Sequence, residues 1–269
     1  MLRNEALPLT RVVVCQPLTE FCLETDTGKH NIGQVADKNK ALSQHLALAE
    51  TMRAFGTEVL NITELKQHPN SIFTKDTATL TPAGFIRLRM GLPTREKEEI
   101  WMAEFLAELG EPCIGEIEKP GTVEGGDIIL AGKIAFVGIS SRTNEAGARQ
   151  ISKVFKTLDI ETRICKVPSP YLHIGGAMTL IETDHVLCCS NVFPSSFFDG
   201  FKKSEIDTGY FITGNVISLG NKEVIVEERN TQALEILEAE KFIIYTLNLS
   251  EFVKGNGGPS CLIMPLERK

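Results

Sequence analysis

Ile128-Ile129-Leu130-Ala131-Gly132-Lys133-Ile134-Ala135-Phe136-Val137 is the stretch that decides the architecture. Two apolar runs flank a glycine-containing turn, the pattern of a β-hairpin. Asn144 follows where a helix N-cap is wanted, since its side-chain oxygen can take an amide proton that a helix start leaves unpaired. A helix to Leu158 and a third strand near Thr162 to Val167 complete a strand–strand–helix–strand unit.

The same order recurs on either side. Thr77 to Arg89 reads as a hairpin turning at Pro82 to Gly84, then a helix from about Arg95 to Leu109 closed by Gly110, then a strand at Cys113 to Ile117. Further on, Val216 to Leu219 and Glu223 to Val226 form a hairpin through Gly220-Asn221-Lys222, followed by a helix from Thr231 to Glu240 and a strand from Phe242 to Leu247. Between these lies the hairpin Ala177 to Ile181 and Val186 to Cys189, with a less regular continuation. The remaining unit is split. Arg11 to Cys15, a helix around Lys38 to Phe55 and a strand at Glu58 to Ile62 sit near one end, and Ser260 to Met264 supplies the missing strand from the other. Leu42, Leu46, Ala49 and Met52 recur at three-to-four spacing and mark one apolar helix face.

Five ββαβ units, roughly 40–50 residues apart, can close into a ring with their small loops meeting at the centre; ordinary α/β layering is the alternative. No linker or low-complexity stretch divides the chain, so one domain over residues 1–269 is expected. The polar stretch Thr25 to Asp37 is too long for a tight turn and reads either as a loop near a site or as ordinary surface.

Composition sets further bounds. The chain is 42% apolar and 23% charged, ordinary for a globular protein. A formal charge of −7 argues against a nucleic-acid partner, whose phosphates want a basic footprint. Nothing approaches the length of a membrane-spanning apolar run, and Val12-Val13-Val14 is too short for a secretory core, so a cytoplasmic protein with no membrane association is expected. Seven cysteines are an odd count with no disulfide framework, no paired CxxC and no zinc spacing. Reduced thiols are expected, with Cys188 and Cys189 on opposite faces of one strand, and neither a metal nor a cofactor is implied.

Four segments could carry chemistry. Gly255-Asn256-Gly257-Gly258-Pro259-Ser260-Cys261 places a thiol after a glycine-rich run, where backbone amides can stabilise a thiolate; a tail turn with a core cysteine fits the same letters. Val123-Glu124-Gly125-Gly126-Asp127 presents two acids on a tight loop before a strand, or simply a solvated turn. Tyr171-Leu172-His173-Ile174-Gly175-Gly176 sets a histidine beside glycines, though lone histidines are often structural. Pro69 to Ala78 carries Phe73 and Asp76 in a turn-to-strand segment. Together they supply a thiol, an imidazole and carboxylates at strand ends, the inventory for nucleophilic attack on a cationic carbon.

These segments resemble the guanidine-modifying enzymes of the pentein superfamily, most closely the dimethylarginine dimethylaminohydrolases. Pro120 to Asp127 resembles that family's acidic loop, Ser141-Arg142-Thr143-Asn144 with Gly147-Ala148-Arg149 its next loop and helix start, Leu172-His173 its histidine segment, and Gly257 to Cys261 its cysteine loop. The resemblance spans nearly the whole chain. It implies a five-bladed α/β propeller of ββαβ units around a central active site. It also implies Cys261 as nucleophile, His173 as general acid then base, and Glu124 as the group that orients His173. Asp76 would bind the guanidinium, Phe73 would pack near the reacting carbon, and Arg95 and Arg142 would clamp a substrate carboxylate. The expected partner is a small guanidine such as methylated arginine, hydrolysed without metal or cofactor to citrulline and an amine; a homodimer is left open.

Three positions depart from the family pattern: Asn70 where Asp commonly meets an α-ammonium, Lys75 where an acid precedes Asp76, and Gly175 where a Lys or a second Asp is usual. They bear on which guanidine fits. Two other readings remain: an amidinotransferase using the same Cys/His/Glu set, and a non-catalytic binding propeller.

Overall fold

A computed structural model describes residues 2–23, 26–207 and 212–269, and within them fifteen strands form five three-stranded sheets. The most regular unit is the one read first. Strands β6 (Ile128–Ala131) and β7 (Ile134–Ile139) pair antiparallel, and β8 (Glu161–Lys166) adds in parallel after the helix Glu145–Thr157. A parallel neighbour needs a crossover of this length, because the chain must travel back the length of the strand before pairing again. Asn144 caps the helix by accepting from Gly147 N at 2.8 Å, as its position demands.

The same arrangement is built by β3 (Ala78–Thr81), β4 (Gly84–Arg87) and β5 (Cys113–Glu116). It recurs in β12 (Ile217–Gly220), β13 (Glu223–Glu227) and β14 (Ile243–Leu247). Their crossover helices are Glu98–Glu108 and Thr231–Ala239. Gly110 takes φ +82° while Glu111 N bonds to Leu106 O, the left-handed stop that glycine makes cheap.

The irregular continuation lies in the fourth sheet, β9 (Met178–Glu182), β10 (His185–Cys189) and β11 (Lys202–Ile206). No α-helix joins β10 to β11 among the described residues. Instead Phe197, Phe198 and Phe201 gather around Phe136 of the neighbouring sheet at centroid distances of 5.1, 5.4 and 5.2 Å, and this aromatic cluster covers the sheet where a helix would. Cys188 and Cys189 are both buried, in different apolar clusters, as alternation along a strand requires.

The fifth sheet joins the two ends of the chain: β1 (Leu9–Cys15) lies between β15 (Ile263–Arg268) and β2 (Glu58–Ile62). The last strand therefore starts later than the sequence suggests. Pro259–Leu262 forms a 3₁₀ turn with proline at its first position, and pairing to β1 begins only at Ile263. The inner strand of each sheet faces the centre: β15 touches β3, β6 touches β9, and β9 touches β12. The result is a five-bladed α/β propeller whose outer helices cover the blades.

The helix Lys38–Phe55 corrects one expectation. Its buried residues are Ala41, His45, Leu48, Ala49 and Met52, whereas Leu46 is 38% exposed. The buried stripe is rotated about one position from the Leu42/Leu46 face, because His45 turns inward against Phe252 at a centroid distance of 6.4 Å. The polar stretch after Thr25, itself outside the described residues, holds a 3₁₀ turn over Thr27–His30 that buries His30 at the edge of the central cleft. Met52→Ala should cost about 2–5 kcal/mol, the usual range for a large-to-small change at a buried site. Leu46→Ala should stay within about 0.5 kcal/mol. Paired urea titrations check this, and equal losses would restore the Leu46 face as core.

Candidate active site

The candidate acids, imidazole and thiol sit in the turns that lead into inner strands, while Arg95 and Arg142 lie between a middle strand and its crossover helix. Asp76 stands before β3, Glu124 and Asp127 before β6, His173 before β9, and Cys261 before β15. Because the inner strands share one centre, these turns converge at one end of the ring. The structure thus brings together all the residues the sequence nominated: Asn70, Phe73, Asp76, Arg95, Arg142, His173 and Cys261 line one cleft of about 320 Å³ empty volume, with Glu124 buried directly behind.

Glu124 is fully buried and organises the catalytic end. Its Oε2 lies 2.9 Å from His173 Nε2, and its Oε1 accepts from Gly91 N at 3.0 Å and Leu92 N at 3.3 Å. Arg142 Nη1 reaches both oxygens at 3.3–3.4 Å. Burial opposes its charge, but the His173 hydrogen bond and the Arg95 and Arg142 guanidinium groups outweigh burial and hold the carboxyl well below the usual range. With Nε2 committed to Glu124, His173 keeps Nδ1 toward Asp76 Oδ1, at 3.9 Å. Burial favours the neutral ring, yet Asp76, Asp127 and Glu124 together raise His173 to about 9, so it carries a proton at neutral pH.

Asp76 is fixed from two sides. Its Oδ1 accepts from Gly126 N at 3.1 Å, and its Oδ2 from Arg95 Nη1 at 2.6 Å. Gly126 is required here: a Cβ would come within 2.7 Å of the His173 ring and 2.8 Å of Asp76 Oδ1. Gly257 has a similar reason, since a Cβ there would meet the Phe73 ring at 2.1 Å. Phe73 itself stands edge-on to Phe21 at 5.8 Å, which sets its plane against the cleft.

Arg95 departs from its expected part. Its Nε donates to Glu98 Oε2 at 2.9 Å, its Nη1 to Asp76, and its Nη2 to the carbonyls of Asn70 at 3.3 Å and Phe73 at 3.1 Å. With its donors so engaged and only 3% of the residue exposed, it braces Asp76 rather than presenting a free fork to a carboxylate. Glu98 pairs with it, yet burial pushes that carboxyl up to about 7. Asn70 donates Nδ2 to His30 O at 2.7 Å. Lys75 turns away to Glu5 at 2.9 Å.

Cys261 is half-buried and is the one intermediate thiol of seven free cysteines; Cys113 is exposed and the rest are buried. Burial, with the Asp76 charge adding to it, pushes the thiol up to about 12. A free thiolate is therefore disfavoured until a cation enters beside it. Asp76, Glu124 and His173 lie close enough to hold a metal ion, but the two carboxylates already serve Arg95, Arg142 and His173, so the arrangement fits a hydrogen-bonded acid–base set better than a ligand set.

Two further residues support the site: Asn215 escaped the sequence reading, and Asp127 was read only as one of two acids on its loop. Asn215 accepts from Ser260 N at 2.9 Å and donates to Gly175 O at 2.9 Å, with Nδ2 3.8 Å from Cys261 Sγ, so one amide ties the cysteine loop to the histidine loop. Asp127 accepts from Ile174 N at 2.9 Å and Ser140 Oγ at 2.6 Å, anchoring the segments of His173 and Arg142. The repeat held a signal for Asn215: like Asp76 and Cys261, it stands two residues before an inner strand.

Comparison with known proteins decides the family. The arginine deiminase family profile matches residues 23–208 and 202–268. The chain belongs to this family. Its members are Cys-dependent amidinohydrolases, and this chain is an enzyme of that dimethylargininase-like kind, acting by hydrolysis on the guanidino group of arginine derivatives. The N(G),N(G)-dimethylarginine dimethylaminohydrolase of Streptomyces coelicolor is 28% identical over 233 residues, 86% of this chain and 87% of its own. The enzyme of the same name from Pseudomonas aeruginosa is 26% identical over 226 residues, 84% and 88%. The structure of a cysteine-to-serine mutant of the Pseudomonas aeruginosa enzyme, complexed with citrulline, superposes with a TM-score of 0.84 at 24% identity, covering 96% of this chain and 99% of that one. No helix among the described residues is long and apolar enough to cross a membrane.

The raised thiol has a measurable consequence. Because the acid form persists until about 12, the thiolate fraction, and with it the iodoacetamide alkylation rate of free Cys261, should climb steadily as pH rises through 9. A rate that levels off by pH 8 would mean that the free site already stabilises the thiolate.

Proposed function

We propose that the protein hydrolyses a substituted arginine, with methylated arginine the reference substrate, through a covalent amidino-thioether on Cys261. The observation that carries this is the approach of a half-buried thiol, a protonated imidazole and a braced carboxylate around a cleft sized for a flat cation. Asp76 presents its carboxylate to the cleft, which favours a cationic guest.

Asp76 holds the guanidinium plane through charge-assisted hydrogen bonds, and Phe73 packs against the reacting carbon. The bound cation offsets what raises the thiol, so Cys261 releases its proton to solvent water and its sulfur attacks the central carbon. The C–N bond to the departing amine breaks, and that nitrogen takes the pair and the proton of His173. His173, now neutral, removes a proton from water as the hydroxide adds to the adduct carbon. The C–S bond breaks, citrulline leaves, and a second proton returns to sulfur. Glu124 keeps the ring oriented and stabilises the imidazolium that starts and ends the cycle. Arg142, at the cleft wall, takes the substrate carboxylate, and Asn70 offers an uncharged contact to the α-ammonium. The Pseudomonas aeruginosa structure of the same fold is a cysteine-to-serine mutant complexed with citrulline, which agrees with citrulline as the product.

Purified Cys261→Ser protein should keep its fold by circular dichroism and lose amine release from methylated arginine by at least about a thousandfold, as expected when a covalent nucleophile is removed. Wild-type rates in that variant would end the covalent mechanism. Arg142→Met should weaken kcat/KM for carboxylate-bearing substrates by about tenfold or more over agmatine-like ones, because a desolvated charge pair is lost. Equal losses for both would take Arg142 out of the carboxylate site.

A further inference from the structure

The guanidinium cleft is not the only space that reaches Cys261. A second, narrow cavity runs along the inner strands and shares Cys261, His173, Leu172 and Asn256 with the cleft. Its walls come from four blades and are mostly apolar: Ile129 on β6, Met178 and Leu180 on β9, Ile217 on β12 and Ile263 on β15. Gly175 opens onto it without a side chain.

Two of the charged groups that line it, Lys75 and Glu5, pair with each other. Lys75 Nζ sits 2.9 Å and 3.0 Å from the two oxygens of Glu5, so that pair is neutral as a unit. Arg268 faces the cavity because a register shift between β1 and β15, where Val12 opposes Pro265 but Arg11 opposes Glu267, breaks the two-residue alternation near the strand's end. Its Nη1 donates to Leu7 O and Ser218 O, both at 2.8 Å, and it leaves that region positive.

The chemistry of the site says what belongs there. Asp76 holds one side of the guanidinium in the cleft. The nitrogen that departs must lie beside His173, the group that protonates it. His173 is a wall of both spaces, so whatever is attached to the departing nitrogen points past the imidazole toward the apolar cavity. We propose that this cavity receives the substituent on the departing nitrogen. The substrates of this site would then include arginines carrying there an unbranched, uncharged alkyl chain of about four carbons, a shape suited to a slim apolar pocket. The proposal rests on the hydrolytic reading of Cys261. Its bond changes are those of that reading: sulfur bonds to the central carbon, the C–N bond to the alkylated nitrogen breaks, and that nitrogen leaves as a primary alkylamine with the proton of His173.

The test is a set of kcat/KM measurements on the purified full chain with Nω-methyl-, Nω-butyl- and Nω-(4-aminobutyl)-arginine, following citrulline and amine by mass spectrometry. Butyl should be turned over within about tenfold of methyl, and the aminobutyl compound at least about tenfold less well than butyl, the scale on which pockets discriminate by size and charge. Met178→Phe and Val216→Phe narrow the cavity; each variant that folds should lower the butyl-to-methyl ratio by at least about tenfold. The proposal is overturned if butyl falls more than about tenfold below methyl in the wild-type protein, if the aminobutyl compound matches butyl, or if a folded variant leaves the ratio unchanged. A wild-type protein inert toward all three, with no adduct on Cys261, would instead remove the hydrolytic reading itself, and the pocket assignment with it.

Discussion

The hydrogen bonds between β1 and β15 close the ring, and every other feature of the site depends on that closure. Residues near the two ends of the chain pair across more than two hundred positions, Leu9 with Arg268 and Val14 with Ile263. Such contacts cost the most chain entropy to form, so the rest of the ring must already favour them. Closing the ring is also what sets Cys261 beside His173 and Asp76. Cys261 stands just before the last strand, and the cleft it lines exists only when the propeller is complete.

Within that frame, the central turns are locked by buried charge. Arg95 is bound at once to Asp76, Glu98 and two carbonyls, with Glu124 at 3.7 Å. Taking such groups out of water costs several kcal/mol per ion, and mutual satisfaction offsets it only when the geometry is good. Here every nitrogen of Arg95 is met, though Glu98 Oε1 has no hydrogen-bond partner, and Asp76 gains a fixed orientation with one oxygen on Arg95 and the other on Gly126 N. A carboxylate so braced can grip a planar cation without rearranging, which is the sense in which the site is preorganised.

The same enclosure separates the roles of the titrating groups. Burial acts on both His173 and Cys261, with opposite outcomes. Surrounding carboxylates overcome burial at His173 and keep it protonated, while at Cys261 burial and Asp76 act in the same direction and keep the thiol neutral. The resting site therefore holds a protonated imidazole beside a neutral thiol.

The sequence by itself determined the repeat and the reactive letters. Hairpins around glycine turns, the Asn144 cap and the Gly110 stop are local features, fixed by backbone preferences that neighbouring residues dictate, and their positions were legible to within a residue or two. Cys261, His173 and Glu124 were legible through their glycine neighbours and through resemblance, Asp76 through resemblance alone. What only the tertiary structure decided was relational. Whether Leu46 or His45 faces the core depends on Phe252, about two hundred residues away. Whether Arg95 is free for a substrate depends on Asp76, Glu98 and two carbonyls that reach it in space. Asn215 gains its place from the cysteine loop, and Arg268 faces the axis only because β15 slips register against β1. Periodicity carries the information that lies along the chain; burial, charge pairing and cavity shape arise between distant segments, and they are defined only once the ring has closed.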